Sequence, residues 1–229
     1  MKSKLLRDFD YKKYFLSIVC GTILISINIL LLFRMQYSFY FYLFFIGGIL
    51  AYYIFDKTKC LKLWIILTTS LFWSSALLIL LSGLLATFSI PIRSWVLYIP
   101  SILLISVLIK YPIDIKGLEI RPKLDGLVMI GFTVISFISH VLSVRGFVAP
   151  ILHDPISHAT WAKQIYDTGL INYFYSPGLH ILAALGKMAD GVYISKYILI
   201  ITNIFNALIF VPVYLFIRSY FKDKKFALL

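Results

Sequence analysis

Long apolar stretches recur along this chain, and they restrict its fold more than any other feature. A transmembrane helix needs roughly 17–25 predominantly apolar residues, because the hydrocarbon core of a bilayer is about 30 Å thick. Hydrophobic residues make up 61% of the 229 positions, whereas soluble domains average about half. Six segments reach or approach the spanning length: Tyr14–Phe33, Tyr37–Phe55, Leu63–Thr87, Trp95–Ile109, Leu127–Val144 and Ile194–Ile217.

These six segments are predicted to be helices, because backbone N–H and C=O groups cannot be left unpaired in lipid. None of them alternates apolar and polar residues in the way that barrel strands do. The sequence therefore predicts an all-α fold, that of a polytopic membrane protein.

The net charge of +12 indicates membrane orientation rather than a nucleic-acid partner. Three basic clusters share one side of the membrane if the spans alternate: Lys2–Lys13, Lys57–Lys62 and Lys110–Lys123. Before residue 153, only Arg34, Arg93 and Arg145 fall on the other side. This is the positive-inside bias, and it predicts a multi-pass protein of the cell membrane with a cytoplasmic N-terminus. Membrane lipid is an expected partner of these charges, and nucleic acid is not.

The sequence divides into three parts. Residues 1–110 are predicted to form a four-helix membrane block, residues 111–126 a charged inner loop, and residues 127–229 a second block with an outer loop over 145–178. The first block has no ionisable residue between Leu63 and Ser89, and Asn28 is predicted to hydrogen-bond between helices. A solute carrier is disfavoured, because transport pathways usually need charged groups at membrane depth.

The outer loop gathers most of the residues that can carry chemistry. Three of the four histidines lie in or just after it, at positions 153, 158 and 180. The dipeptide Asp154-Pro155 is a strong helix start, because Asp is a favoured N-cap and Pro fits the first helical position. The predicted helix runs to Thr168 and stops at Gly169. His158, Trp161 and Ile165 share one face of it, and Lys163 and Asp167 lie toward the other, so we expect an amphipathic helix at the membrane surface.

Several roles stay open for the first turns of this helix. Asp154 can act as a helix cap alone, and His158 can be an interfacial side chain next to Trp161. Residues four apart meet on a helix surface, so Asp154 and His158 can instead share a proton or a metal. His153, Asp154 and His158 are the candidate ligands, and a divalent metal ion is compatible with them, although the helix lacks the HxxxH spacing of a zinc site.

The order of features in the second block resembles the GT-C class of membrane glycosyltransferases. In that class a span is followed by an outer loop with an Asp-containing motif, and then by a tyrosine- and proline-rich stretch that begins the next span. The similar features here are His153-Asp154, the segment Tyr173–His180, and the basic segment Arg218–Leu229. The resemblance covers roughly residues 125–229. It departs from the family pattern in having one acidic residue at the motif, and Pro-Gly where many relatives have Pro-Pro.

The resemblance implies transfer of a sugar from a polyprenyl phosphate to an acceptor hydroxyl on the outer face. Asp154 would be the general base, and Arg145 and Lys163 would stabilise the leaving phosphate. His153, His158 and His180 would bind phosphate, acceptor or a metal. Tyr173 and Tyr175 would pack on sugar or lipid, or serve as interfacial anchors.

Two further expectations concern topology and chain extent. Leu179–Ala189 is short for a span; the positive-inside rule favours six spans without it, whereas the family pattern favours seven, and seven is the topology we predict. The family pattern also has many more spans after this point. The sequence is accordingly expected to be the N-terminal part of a transferase. The alternative is a non-catalytic multi-pass subunit or degenerate remnant, which would associate with a protein that supplies further spans.

Overall fold

The fold is helical throughout the part of the chain that can be described. The computed structural model describes residues 11–56, 62–114, 118–119, 123–143, 153–171 and 177–221. Over these ranges it contains no β-strand, only one isolated bridge between Lys62 and Glu119. The helices are α1 (Tyr11–Leu32), α2 (Ser38–Asp56), α3 (Leu63–Thr87), α4 (Tyr98–Lys110, preceded by a 3-10 turn over Ser94–Leu97), α5 (Leu124–Ser143), α6 (His153–Thr168), α7 (Gly178–Asp190), α8 (Ile194–Leu208) and α9 (Phe210–Phe221). The all-α prediction is confirmed.

The apolar helices coincide with the six predicted spans. Four stretches are long and apolar enough to cross a membrane: Tyr14–Leu32, Ser38–Asp56, Leu63–Thr87 and Ile194–Arg218. Two shorter apolar helices, Ser94–Lys110 and Leu124–Ser139, match the fourth and fifth predicted spans. The protein is thus a membrane-embedded helical bundle.

The last predicted span is a broken helix. α8 ends at Leu208 and α9 starts at Phe210. Pro212 explains the break, because proline has no N–H to donate and its ring clashes with the carbonyl four residues earlier, that of Leu208. The two halves still form one pass: Tyr197 near the start of α8 stacks on Tyr40 of α2, while Tyr214 of α9 lies beside Trp64 at the start of α3.

The two ends of the bundle are marked by polar contacts between connections. At one end, the Tyr37 amide after α1 donates to the Asp190 carboxylate at the end of α7, at 3.0 Å. This end is called the loop-helix end, after the outer-loop helix α6 described below. At the opposite end, Arg218 of α9 donates to Asp125 at the start of α5, at 3.1 Å. α8 and α9 therefore run from the loop-helix end to the opposite end.

α7 does not cross the bundle. Its first residue, Gly178, packs on Ile79 of α3, which lies eight residues, or about 12 Å, before the end of that helix at the loop-helix end. Its last residue, Asp190, is at the loop-helix end itself. The helix has 13 residues and is almost completely buried, which fits a re-entrant or core helix of this length better than a span. The expectation of seven spans is therefore corrected to the six-span alternative.

Two close contacts organise the first four spans. α2 and α3 approach so closely that a Cβ placed on Gly47 would lie 1.6 Å from the backbone oxygen of Ser70. Asn28 of α1 and Ser101 of α4 form a reciprocal pair, in which the Asn28 amide donates to Ser101 Oγ at 2.9 Å and accepts from it at 3.1 Å. The interhelical role predicted for Asn28 is confirmed.

Candidate functional site

α6 is the element that positions the candidate site, and its C-terminal end is held in two ways. Gly169 follows the helix with φ of +78°, and its amide donates to the Ile165 carbonyl at 2.7 Å. A left-handed residue at this position is the usual glycine C-cap. The stop predicted at Gly169 is confirmed, and the helix begins at His153, two residues before the predicted start at Pro155.

Arg93, from the connection between α3 and α4, supplies the second restraint on α6. Its guanidinium donates to three carbonyls of the last turn, those of Tyr166, Asp167 and Thr168, at 3.0–3.3 Å. A cation at a helix C-terminus is favourable, because the exposed carbonyls there carry partial negative charge. The Ile92 amide also donates to the Gly169 carbonyl at 2.7 Å. α6 therefore lies at the loop-helix end, on the same side as the α3–α4 connection.

The buried face of α6 brings two of the predicted histidines together. His158 Nδ1 lies 2.6 Å from His180 Nε2 of α7, and the two rings are stacked with centroids 4.9 Å apart. Trp161 packs edge-on against both rings, at 5.5 and 5.3 Å. Below this cluster, Ala162 and Ile165 are fully buried in the core. The face predicted to be apolar is buried, and the surface that it packs on is α7.

The environment of the pair keeps His180 uncharged at neutral pH. His180 is fully buried, and this burial, reinforced by the neighbouring His158, lowers the pKa of its imidazole to about 4. Within the pair, one ring nitrogen donates and the other accepts, an arrangement that two imidazolium rings cannot make. A neutral His180 can therefore share this hydrogen bond with His158 either as the donor or as the acceptor, depending on its tautomer.

The first turn of α6 places Asp154 by helical register. Positions 154, 158, 161 and 165 recur at intervals of three to four residues and so share one face. Asp154 is thus on the face of the helix that carries His158, although its side chain and that of His153 lie outside the described residues. Among the side chains that are described, no group of three His, Cys, Asp or Glu residues is arranged to hold a metal ion. A metal at His153, Asp154 and His158 stays a prediction.

Lys163 does not belong to this cluster. It lies nine residues after Asp154, which is about two and a half turns and therefore the opposite face of the helix. There it forms an ion pair with Asp167 and lines a cleft of about 400 Å³ between α6, the end of α7 and the start of α8. Lys187 of α7 lines the same cleft. The structure thus places Lys163 and the His158–His180 pair on opposite faces of α6, whereas the sequence analysis had combined them in one site.

The remaining predicted site residues, Arg145, Tyr173 and Tyr175, lie outside the described residues. Sequence reasoning missed two residues that the structure brings to the site. Arg93 was interpreted only as an outer-side charge, and nothing in its local sequence indicates a contact more than 70 residues away. The second is Lys187 of α7; a basic residue one turn before Gly191, in the last turn of a helix, was the available signal.

No family model, curated protein or solved structure matches this chain. The fold and the site define its class: a multi-pass helical membrane protein in which α6 and α7 build a polar site at one end of the bundle that the six described apolar segments form.

Proposed function

We propose that this protein is a membrane glycosyltransferase of the GT-C type, or the N-terminal part of one. It would move a sugar from a polyprenyl phosphate to an acceptor hydroxyl on the face predicted to be outer. The observation that supports this most is the placement of Asp154 in the first turn of α6, on the face that carries the His158–His180 pair. This helix lies at the end of the bundle, where a lipid-linked donor and a water-borne acceptor can meet.

The proposed reaction is a displacement at the anomeric carbon of the sugar. The Asp154 carboxylate accepts the proton of the acceptor hydroxyl, the acceptor oxygen forms a bond to the anomeric carbon, and the bond from that carbon to the phosphate oxygen breaks. The polyprenyl phosphate leaves with the electron pair of that bond.

The other roles follow the two faces of α6. A cation close to the leaving phosphate is needed to offset its growing negative charge, and Arg145, nine residues before Asp154, is the candidate. Lys163 lies on the far side of α6 from Asp154, so it is not proposed to contact the reacting phosphate. Tyr173 and Tyr175 are proposed to pack on the sugar or the lipid. His153 and His180 are proposed to help bind the acceptor.

Replacing Asp154 by Asn is the direct test of this proposal. Transfer of radiolabelled sugar from a panel of polyprenyl-phosphate hexoses and pentoses would be measured in vesicles containing the full chain. Because Asn cannot take up the acceptor proton, the rate should fall by about 10²–10⁴. Asp167→Asn is the matched control, since Asp167 is on the other face of α6 and exposed, and it should keep the parent rate within about twofold. Unchanged transfer by Asp154→Asn would remove this carboxylate from the mechanism, and no transfer by the parent from any donor would contradict transferase activity of this chain on its own.

A further inference from the structure

The cleft on the far face of α6 has the dimensions and composition of a ligand site. Its volume of about 400 Å³ lies within the usual range of small-molecule pockets, roughly 300–1,000 Å³. The lining combines apolar and polar side chains. Ile156, Ala159 and Ile194 are apolar, and Thr160 and Ser195 add hydroxyls.

The charges in this cleft favour an anion. Among the described residues that line it, Lys163 and Lys187 are cations and Asp167, the partner of Lys163, is an anion. Lys187 is held in place at the rim, because it donates to the Gly191 carbonyl at 2.7 Å and lies over the rings of Tyr193 and Tyr166 at 5.5 and 6.0 Å. An ammonium has three N–H groups, so this anchoring leaves donors for a ligand.

The position of the cleft indicates where such an anion comes from. Ile194 is the first residue of the last span, Ile194–Arg218, so the cleft sits where that span leaves the hydrocarbon. Tyr193 and Ile156 on its rim are 77% and 51% exposed. Exposed aromatic and aliphatic side chains beside lysines, at the end of a span, match the headgroup layer of a bilayer.

We propose that this cleft binds the phosphate of an anionic membrane phospholipid, with Lys187 and Lys163 on the phosphate and the acyl chains descending past Ile156 and Ile194. The site does not rest on the proposed transferase activity, because it lies on the face of α6 opposite Asp154 and uses none of the histidines. Through this contact, the loop-helix end of the protein would associate with the anionic lipids of the surrounding leaflet.

Native mass spectrometry of the full chain in detergent tests this proposal. The equilibrium constant for the first bound phosphatidylglycerol would be compared with that for phosphatidylcholine. We expect the parent to prefer phosphatidylglycerol, and Lys187→Gln to weaken its binding about fivefold, since a lysine near an anionic headgroup contributes about that factor. The Lys163→Gln, Lys187→Gln double variant should bind the two lipids alike.

The controls separate the cleft from general surface charge. Lys196→Gln removes the same charge close by, but its ammonium is bonded to the Tyr37 hydroxyl and is not in the cleft lining; it should keep the parent preference within about twofold. Lys187→Arg should keep the preference as well. A double variant that still prefers phosphatidylglycerol would overturn the proposal. Displacement of phosphatidylglycerol from the parent by inorganic phosphate would show a site for soluble phosphate instead, and would equally overturn it.

Discussion

Gly47→Ala is expected to destabilise the protein by at least about 3 kcal/mol, the upper part of the range for overpacking. The added Cβ would lie 1.6 Å from the Ser70 oxygen and 2.4 Å from its carbonyl carbon. Both atoms belong to the backbone of α3 and cannot rotate away as a side-chain end can. α2 and α3 would have to move apart, and the contacts of the most extensive helix pair in the fold would be lost. The thermal unfolding midpoint in detergent should fall by about 10 °C.

The neighbouring glycine provides the control for this prediction. A Cβ on Gly48 meets nothing within 4 Å, so Gly48→Ala introduces no clash. Alanine also has the higher helix propensity, by about 1 kcal/mol. Gly48→Ala should therefore match or exceed the parent midpoint. Equal midpoints for the Gly47 and Gly48 variants would contradict the close α2–α3 packing.

Asp190→Ala should destabilise the protein by about 3–5 kcal/mol, because it leaves several buried donors unpaired. Asp190 is 6% exposed. It accepts hydrogen bonds from the amides of Tyr37 and Val192, each at 3.0 Å, and from the buried hydroxyl of Tyr197. The loss would release the α1–α2 connection from the turn between α7 and α8, and the unfolding midpoint should drop by more than about 6 °C.

Two comparisons show whether this effect comes from the buried acceptors. Asp190→Asn keeps one acceptor oxygen, so it should lie between Asp190→Ala and the parent. Asp167→Ala also removes an aspartate from the loop-helix end, but its side chain is 46% exposed and, among the described residues, its ion pair is with Lys163. Exposed ion pairs contribute about 0–1 kcal/mol. A midpoint for Asp190→Ala no lower than that of Asp167→Ala would show that Asp190 does not hold the two connections together.

Most of the fold could be predicted from the sequence, because membrane spans are determined by length and hydropathy alone. α3 begins and ends at the predicted residues, Leu63 and Thr87. The stop of α6 at Gly169 is also a local property, since glycine accepts the left-handed conformation that ends a helix. Asn28 was placed correctly because a strongly polar group in a span needs a partner on another helix.

The path of α7 could not be predicted in the same way. Its 13 residues are mostly apolar, and that composition suits a short crossing helix as well as a helix buried inside a bundle. Its place depends on Asp190 meeting Tyr37, more than 150 residues earlier in the chain, and no local pattern encodes that contact. The site divided for a related reason: Lys163 pairs with Asp167 on the outer face of its own helix, whereas the partner of His180 comes from a different helix, α6.

Cysteine accessibility from the two sides of the membrane tests the central structural claim, that α6 and α7 lie together at one end of six spans. In a background with Cys20 and Cys60 replaced by alanine, single cysteines would be placed at Tyr193, Leu124 and Tyr220, which are 77%, 76% and 71% exposed. A membrane-impermeant maleimide would be added to sealed vesicles of either orientation. The six-span fold predicts that the Tyr193→Cys variant reacts from one side, and that the Leu124→Cys and Tyr220→Cys variants react from the other. Reaction of Tyr193→Cys from the same side as Leu124→Cys would mean that α7 crosses the membrane, and would contradict the placement of His180 beside His158.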